Sequence, residues 1–479
     1  MRFSFASVAA ACAIALSGCV SMAPHYARPD APVPGVIGDT GSTGTGMPNA
    51  AAVDWRQVVT DARLQQVVAL ALDNNRDLRV AVLNIEQARA QYRIQRASLF
   101  PAVDATVSHT AQRAAAATSF TGAPQIIRSA SGEVGISSWE LDLFGRIRSL
   151  KNQALETYLA SEQTQRSTRL SLVAEVANDW LTVAADQQRL ALAQQTLDSQ
   201  RKTLRLTELQ HDNGIVSGLD LAQIQTSVES ARADVANYAT QLAQSRNALN
   251  LVVGTSVPVA LLPASDAIET GVALAPLPAQ LESRVLLQRP DVLSAEHTLK
   301  AANADIGAAR AAFFPTISLT ANVGRGSDAL SNLFDGDHTW SFSPSVSLPI
   351  FRAGALKAEL DVAKLQKDIT IAQYELAIQT AFSEVADALA ERTQLEERLD
   401  AQRAMVEAAQ RGFSLSDARY RNGVDSYLVT LDAQRTLYSA QQTLISLRLT
   451  EACNRVTLYK VLGGGADAQS GASVADAAR

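Results

Sequence analysis

Apolar positions in the segment 146–211 recur in alternating steps of three and four residues, which is the heptad spacing of a long supercoiled helix. The series is Val173, Val176, Trp180, Val183, Gln187, Leu190, Gln194, Leu197, Arg201 and Leu204, and it is polar at Gln187, Gln194 and Arg201. Neither proline nor glycine occurs from Arg146 to Asn213, so no helix breaker interrupts the segment. At 1.5 Å per residue, the sequence predicts a single helix about 100 Å long.

The same pattern occurs again 209 residues further along the chain. Residues 174–177 (AEVA) match residues 383–386 (SEVA), and the turn Asn213–Gly214 matches Asn422–Gly423. A chance heptad series would not preserve the turn that follows it. The chain is therefore predicted to consist of two structural repeats.

Shorter segments between the helices alternate apolar and polar residues, which is the period of a β-strand. The predicted strands are about 102–111, 131–143, 316–324 and 340–350, each long enough to cross a bilayer when tilted. Pro101 and Pro315 each follow a phenylalanine and are predicted to mark helix-to-strand junctions, because the residue before a proline disfavours the helical conformation. The spacing of matched residues falls from 214 to 207 across the strand pair, which predicts a first connecting loop about seven residues longer.

The N-terminus resembles a bacterial lipoprotein signal. Met1–Arg2 is followed by an apolar stretch to Leu16 that is too short to span a bilayer as a helix. Residues 16–19 (LSGC) resemble a lipobox, which predicts cleavage before Cys19 and acyl chains, such as palmitate, on that cysteine. The alternative is an ordinary signal peptide with an incidental cysteine. Val20 follows Cys19, and by resemblance to lipoprotein sorting this favours the outer membrane.

Composition and pattern together divide the chain into five segments. The tether is rich in proline, glycine, serine and threonine, and the last residues lack apolar periodicity. The predicted segments are a signal peptide (1–18), a lipidated tether (19–60), a first repeat (61–265, long helix 146–211), a second repeat (266–465, long helix 352–421) and a disordered tail (466–479).

Charge and residue chemistry exclude several classes of function. The net charge of -6 gives no basic surface for nucleic acid. Of three cysteines only Cys453 lies in the body of the chain, so no structural disulfide is expected. The five histidines are scattered, and the sequence has no metal-ligand spacing, catalytic triad or phosphate loop. We therefore expect neither an enzyme nor a metal cofactor.

Four strands per chain are too few to close a barrel, and an open sheet edge in lipid would leave backbone groups without partners. Copies of the chain must therefore share strands, and a homotrimer supplies twelve. The predicted fold class is an α+β membrane protein: a trimeric 12-stranded β-barrel continuous with a long periplasmic α-helical barrel.

The chain resembles the outer-membrane factor family of TolC-like and OprM-like channels, most closely its lipid-bearing NodT-type branch. The lipobox, the duplicated plan, the Phe-Pro junctions and the segments 420–428 (YRNGVDSYL) and 431–434 (LDAQ) carry the resemblance, which covers essentially the whole mature chain. It implies a homotrimeric duct in outer-membrane lipid that exports drugs or other small molecules. It also implies two partners, a periplasmic adaptor protein and an RND-type inner-membrane pump.

Leu428 and Asp432 are four residues apart and share one face near the start of the last helix. By resemblance they match the residues around a periplasmic constriction, where three copies would form an apolar ring and an acidic ring. The alternative is that Asp432 only favours the helix N-terminus and Leu428 packs in the wall. Relatives can carry a second acid where this chain has Val429, and the first repeat has Gln223 at the position matching Asp432. A single acidic ring, asymmetric between the repeats, is predicted.

The two turns, Asn213–Gly214 and Asn422–Gly423, are predicted contacts for the adaptor, with turn geometry alone as the alternative. Two other functions stay open at this point. A type I secretion duct for proteins would share the fold and differ only in its pump. A periplasm-spanning structural lipoprotein without a pore would not need two pairs of strands.

Overall fold

The computed structural model describes residues 21–37, 54–118, 122–264, 267–273 and 281–464. The predicted signal peptide, Cys19, residues 38–53 of the predicted tether and the tail 466–479 lie outside the described residues. By its internal contacts the chain divides into two compact units. The first unit comprises residues 1–30, 84–162 and 294–374, and the second comprises 31–83, 163–293 and 375–479.

Helices dominate the described residues. The α-helices are α1 (Trp55–Val58), α2 (Ala62–Asn74), α3 (Arg76–Ala97), α4 (Arg146–Asp212), α5 (Gly218–Val253), α6 (Ala267–Thr270), α7 (Pro290–Ala311), α8 (Ala355–Arg421) and α9 (Tyr427–Val461). The strands are β1 (Val36–Ile37), β2 (Val103–Ala114), β3 (Gln125–Leu141), β4 (Leu281–Glu282), β5 (Thr316–Ser327) and β6 (Asp337–Ser347). The predicted α+β plan with two repeats is confirmed.

The first unit contains a four-stranded antiparallel sheet in the order β2-β3-β5-β6. Two hairpins, one from each repeat, therefore meet at the β3–β5 pair. Strands β2 and β6 lie at the two edges of this sheet, and each has one partner strand among the described residues. The outer backbone groups of both edges are available for pairing with another strand.

The sheet has one apolar face and one polar face. Along β6, Trp340 and Phe342 alternate with serine and threonine at every second position from 339 to 347. The register places Trp340 opposite Val323, Val323 opposite Val134, and Val134 opposite Ala105, so an apolar row crosses all four strands. Every residue of β6 is exposed in the single chain, and Trp340 is 80% exposed. No part of the chain that the structure describes therefore covers either face of β6.

The difference in length between the two hairpins lies in a strand, so the prediction of a longer first loop is wrong. Strand β3 has 17 residues and β6 has 11, whereas the connections 115–124 and 328–336 are almost equal. A β-bulge between Ile136 and Trp139 takes up one of the extra residues, and Ser138 within it has a φ of 53°. Bulges insert residues into one strand without lengthening the connecting loop.

The strands also extend further into the connections than the alternation predicted. Ala114 pairs with Gln125 at the end of the first hairpin, and Gly326 pairs with Asp337 in the second. Backbone hydrogen bonds continue there although the apolar and polar positions no longer alternate. At the other end, α8 begins at Ala355 and not at Arg352, because Ala353 and Gly354 both have positive φ and cannot belong to a right-handed helix.

The second unit contains a hydrophobic core, and the most apolar stretch of α4 forms part of it. Leu172, Val176, Trp180 and Val183 are buried there together with Leu64 of α2. The indole nitrogen of Trp180 donates a hydrogen bond to the carbonyl of Leu261 at 2.9 Å, so this large side chain is buried without losing its polar contact. The heptad series in this part of the helix therefore marks buried core.

The predicted tether differs from a free linker where the structure describes it. In the first unit, Asn303 and Arg310 of α7 donate hydrogen bonds to the carbonyls of Pro24 and Met22. In the second unit, β1 pairs with β4. Composition favoured a tether because proline and glycine give no periodicity, but their backbone carbonyls remain good acceptors for side chains of a helix.

No helix among the described residues combines the length and the apolar character needed to cross a membrane.

Candidate functional site

Each long helix of a repeat ends in the same glycine turn. The φ of Gly214 is +73° and that of Gly423 is +71°, and a Cβ atom at either position would meet nothing within 4 Å. Glycine is therefore required by the backbone conformation and not by lack of space. The backbone amide of Ile215 donates to the carbonyl of Gln210, and the backbone amide of Val424 donates to the carbonyl of Arg419. This is the hydrogen-bond pattern of a Schellman cap.

The asparagines that precede these glycines close the helix ends with their side chains. The carboxamide of Asn213 donates to the carbonyl of Leu209 at 2.6 Å, and that of Asn422 donates to Ala418 at 2.7 Å. Both turns are exposed, with Ile215 and Val424 presenting apolar side chains to solvent. The two turns are thus exposed, hydrogen-bonded and partly apolar.

The start of α9 has a buried face and an exposed face. Tyr427 and Leu431 are 3% and 2% exposed and pack with Ile224 of α5. Leu428 is 54% exposed, and Asp432, one turn further on, is exposed as well. The structure therefore places Leu428 and Asp432 together on the exposed face of the helix.

Polar contacts join the start of α9 to the preceding helix α8. Arg419 binds the carboxylate of Asp425 with two nitrogens, at 2.5 and 2.9 Å. This ion pair raises the pKa of Arg419 and lowers that of Asp425 through the hydrogen bonds between them. The hydroxyl of Thr430 donates to the carbonyl of Ser416 at 3.1 Å. The helices α8 and α9 are thus fastened together beside Leu428 and Asp432.

The first repeat forms a different arrangement at the matching place. Ser217 and Asp220 form a capping box at the start of α5, whereas Ser426 makes no side-chain cap at the start of α9. Gln223, the counterpart of Asp432, has a buried Oε1 atom without a hydrogen-bond partner among the described residues. The difference between the repeats that the sequence indicated is therefore also a difference in local contacts.

Pro101 and Pro315 lie where helices give way to strands. Pro101 stands between the end of α3 at Ala97 and the start of β2 at Val103, and Pro315 directly precedes β5. Next to Pro315, Phe314 stacks on Phe144 with ring centroids 4.8 Å apart. This aromatic pair joins the end of the first hairpin, just before α4, to the start of the second hairpin, just before β5, in the first unit.

Sequence reasoning missed one group of residues beside Leu428 and Asp432. Gln200 of α4 contacts Tyr427 and Gln434 of α9 through its carboxamide. The heptad series did not single out Gln200, since a buried glutamine on a long helix is recognisable only from its neighbours in space. Gln200 lies outside the heptad series, so the periodicity gave no signal for this contact.

The features typical of a membrane channel subunit are a sheet with one apolar face, two sheet edges without a partner strand among the described residues, and a pair of long helices in each repeat. A family model described as outer membrane efflux protein matches residues 67–255 and 281–464. The chain belongs to this family, which is one of efflux proteins and not of enzymes. The resemblance predicted from the sequence is confirmed.

The chain is similar to efflux proteins of pseudomonads over almost its whole length. It is 50% identical to the probable efflux pump outer membrane protein TtgC of Pseudomonas putida, covering 96% of this chain and 95% of that protein. It is 41% identical to the outer membrane protein OprJ of Pseudomonas aeruginosa, covering 95% of each.

Solved structures share the fold. A membrane protein from Pseudomonas aeruginosa matches with a TM-score of 0.87 and 41% identity, covering 95% of this chain and 100% of that one. The open state of the Neisseria gonorrhoeae MtrE outer membrane channel matches with a TM-score of 0.85 and 40% identity, covering 94% of this chain and 99% of that one. The protein is thus an outer-membrane channel component of an efflux pump.

Proposed function

We propose that three copies of this chain form one passive duct through the outer membrane, with twelve strands in a closed barrel and the long helices extending into the periplasm. The observation that carries the proposal is the sheet, which is apolar on one face and polar on the other, and in which the outer edges of β2 and β6 have no partner strand among the described residues. Pairing β2 of one copy with β6 of the next leaves no open edge in lipid.

The two faces of the sheet fit the two surroundings of such a barrel. The row that contains Val134 and Trp340 faces lipid, and the opposite row lines the water-filled interior. On that opposite face, the hydroxyls of Ser108 and Ser131 are 2.8 Å apart across two strands. Polar side chains of this kind allow passage of water and of dissolved small molecules.

The cargo is a class of small apolar or amphipathic molecules, such as antibiotics and organic solvents. Relatives carry the names antibiotic efflux pump outer membrane protein ArpC and toluene efflux pump outer membrane protein TtgC, and both are 50% identical to this chain. This similarity favours a drug and solvent duct over the alternative of a type I duct for secreted proteins.

The duct closes at the end formed by the turns. Leu428 and Asp432 of three copies form an apolar and an acidic ring that resist passage by dewetting and by charge. The exposed turns at Gly214 and Gly423 are the contact points for the helical hairpins of a periplasmic adaptor protein, which couples the duct to an RND-type pump of the inner membrane. Their exposed apolar residues, such as Ile215 and Val424, support this role.

Cys19 carries the acyl chains that add a lipid anchor to the outer membrane. The lipobox at residues 16–19 supports this assignment. Replacing Cys19 with serine should remove the acyl mass from the mature N-terminus and leave the channel assembly intact. A wild-type mature N-terminal peptide with the mass of the unmodified sequence would refute lipidation.

Conductance of the purified full chain in planar bilayers tests the duct. We expect discrete channels of low open probability in the wild type. Deletion of the gene should sensitise the native cells to toluene and to antibiotics, and the wild-type gene should restore resistance. A protein that never conducts, or a deletion that impairs protein secretion and leaves drug resistance unchanged, would contradict the proposed function.

A further inference from the structure

We infer that Phe351, at the end of the second hairpin, stacks on Phe100 of a neighbouring copy of this chain and thereby fixes the register in which β6 of one copy meets β2 of the next. The contact repeats between copies the aromatic pair that Phe144 and Phe314 form within one chain. The inference rests on the proposed function, because it requires copies that share strands. It adds the side chains and the backbone register that join one copy to the next.

The junction between the two hairpins of one chain shows how such a contact arises. Where β3 pairs with β5, Leu141 lies opposite Ile317 at the end of the strands next to the helices. Phe144 lies three residues after Leu141, and the ring it stacks on belongs to Phe314, three residues before Ile317. The stacked rings therefore continue the strand register beyond the last backbone pair.

Both sides of this junction recur in the other repeat. The matched segments are 141–144 (LDLF) with 348–351 (LPIF), and 314–317 (FPTI) with 100–103 (FPAV). Phe351 is thus the counterpart of Phe144, and Phe100 is the counterpart of Phe314. Phe351 follows β6 and Phe100 precedes β2, so the two lie at opposite edges of the four-stranded sheet. Only a second copy can bring this second pair together.

The exposure of the rings agrees with a missing neighbour. Phe314, which stacks on Phe144, is 39% exposed, whereas its counterpart Phe100 is 66% exposed. Phe351 is 86% exposed. The described part of one chain therefore leaves uncovered the two rings whose counterparts cover each other. An identical chain carries the matching ring at the matching edge, and this argues for a second copy as the occupant.

The same correspondence predicts the register between copies. The counterpart of the pair Leu141–Ile317 is Leu348 opposite Val103 of the next copy. Continued along both strands, this register sets Asp337–Ser347, the whole of β6, opposite residues 104–114 of β2. The two strands thus cover each other almost from end to end. In β6 no positive φ marks a bulge like the one at Ser138, so the register can run unbroken.

The predicted register also matches the two faces of the sheet. It places Val346 opposite Ala105 on the apolar face and Ser345 opposite Thr106 on the polar face. A slip by one residue would reverse the faces, but a slip by two residues would preserve them. Such a slip displaces the strands by about 7 Å, which separates Phe351 from Phe100. The aromatic pair therefore selects among registers that the alternation of faces leaves equivalent.

Cross-linking of introduced cysteines in the purified full-length trimer tests the contact. Phe100→Cys with Phe351→Cys, in a Cys453→Ser background, should be joined between copies by a short reagent that links two thiols. Denaturing electrophoresis should then show covalent dimers and trimers. The matched control is Phe144→Cys with Phe314→Cys, which should link within one chain and migrate as a single chain with added reagent mass. Linkage of the control pair without linkage of the Phe100–Phe351 pair would overturn the inference.

A double-mutant cycle tests the stack without cysteines and applies even if the cysteine pair does not assemble. Phe351→Leu and Phe100→Leu should each make the trimer dissociate in sodium dodecyl sulfate roughly tenfold faster, since each removes the same aromatic pair. The double variant should be little faster than either single variant. Phe334→Leu, at a ring about as exposed but in the connection between β5 and β6, should dissociate like wild type. Fully additive effects would show that the two rings do not touch.

A second cysteine pair tests the register. Thr106→Cys with Ser345→Cys should link between copies, whereas Ser108→Cys with Ser345→Cys, on the same face but shifted by two residues, should link far less. Preferential linkage of the shifted pair would contradict the predicted register. A native mass of three chains without the Phe100–Phe351 link defeats only this inference, whereas a native mass of one chain contradicts the proposed duct itself.

Discussion

Asp179 of α4 shows how a single carboxyl group couples the stability of this helix to pH. Burial raises the pKa of Asp179 to about 6, and the nearby charge of Glu175 adds to the increase. The folded protein therefore takes up a proton at Asp179 more readily than the unfolded chain, whose aspartates titrate near a pKa of about 3.9. Stability that is present below pH 4 is lost progressively as the pH rises to 6.

Asp179→Asn should raise the midpoint of thermal unfolding at pH 7.5, because it removes the cost of a half-buried charge. The gain is roughly 1 kcal/mol once solvent screening of this partly exposed group is allowed for. The difference from wild type should vanish below pH 4. Asp198→Asn, at an exposed position of the same helix, is the control and should change little. A midpoint that is equal or lower in Asp179→Asn at pH 7.5 would contradict the assignment.

Asp432→Ala tests the acidic ring at the scale of one residue. Loss of three carboxylates at the constriction should raise conductance and reduce the preference for cations over anions, since a ring of negative charge attracts cations. Single-channel currents in asymmetric salt measure both quantities. Glu208→Ala, at an exposed acid near the other turn, is the matched control. If Asp432→Ala has the current and selectivity of wild type, Asp432 is not a gate residue.

At the scale of elements, side chains of the N-terminal segment 21–28 bind to helix α7, and we call this segment the strap. Glu296 of α7 is buried and accepts hydrogen bonds from Tyr26 at 3.2 Å and from Arg28 at 2.5 and 3.2 Å, while Lys300 lies 3.1 Å from it. Burial raises the pKa of Glu296, but the hydrogen bonds from Arg28 and Lys300 outweigh this effect and lower it. The strap is thus held by an ionised carboxylate.

Glu296→Gln should release the segment 21–28 from α7. The backbone amides of residues 21–28 should then exchange their hydrogens roughly tenfold faster than in wild type at pH 7.5. Because the pKa of Glu296 is lowered in the folded state, its stabilisation is present above the unfolded pKa of about 4.3 and is lost as the pH falls through the folded value. Wild type should therefore approach the variant only in strong acid. Arg28→Gln should have the same effect, and the double variant should add little. Unchanged exchange in Glu296→Gln would show that backbone contacts alone hold the strap.

The elements also show what the sequence could and could not predict. The long helices α4 and α8 were recognisable because proline is absent from both and because each ends at an Asn-Gly pair that only a left-handed turn explains. The start of α8 was missed because the positive φ of Ala353 has no signal in residue type. The contact between Gln200 and α9 and the docking of residues 21–28 were missed because they join residues more than 200 positions apart. Local periodicity contains no information on such pairs.

At the scale of the whole molecule, the sheet gives the strongest reason for assembly. Every residue of β6 is exposed in the single chain, and the outer edges of β2 and β6 have no partner strand among the described residues. An apolar row that crosses four strands is stable in lipid only if the backbone edges beside it are paired. The four strands are therefore a wall segment of a larger barrel.

Native mass spectrometry of the purified full-length protein in detergent distinguishes a shared barrel from a self-sufficient chain. We expect one species with the mass of three chains, which loses its β-sheet signal in circular dichroism when it is dissociated into single chains. A stable single chain that keeps its folded strands would show that the four strands do not need neighbouring copies.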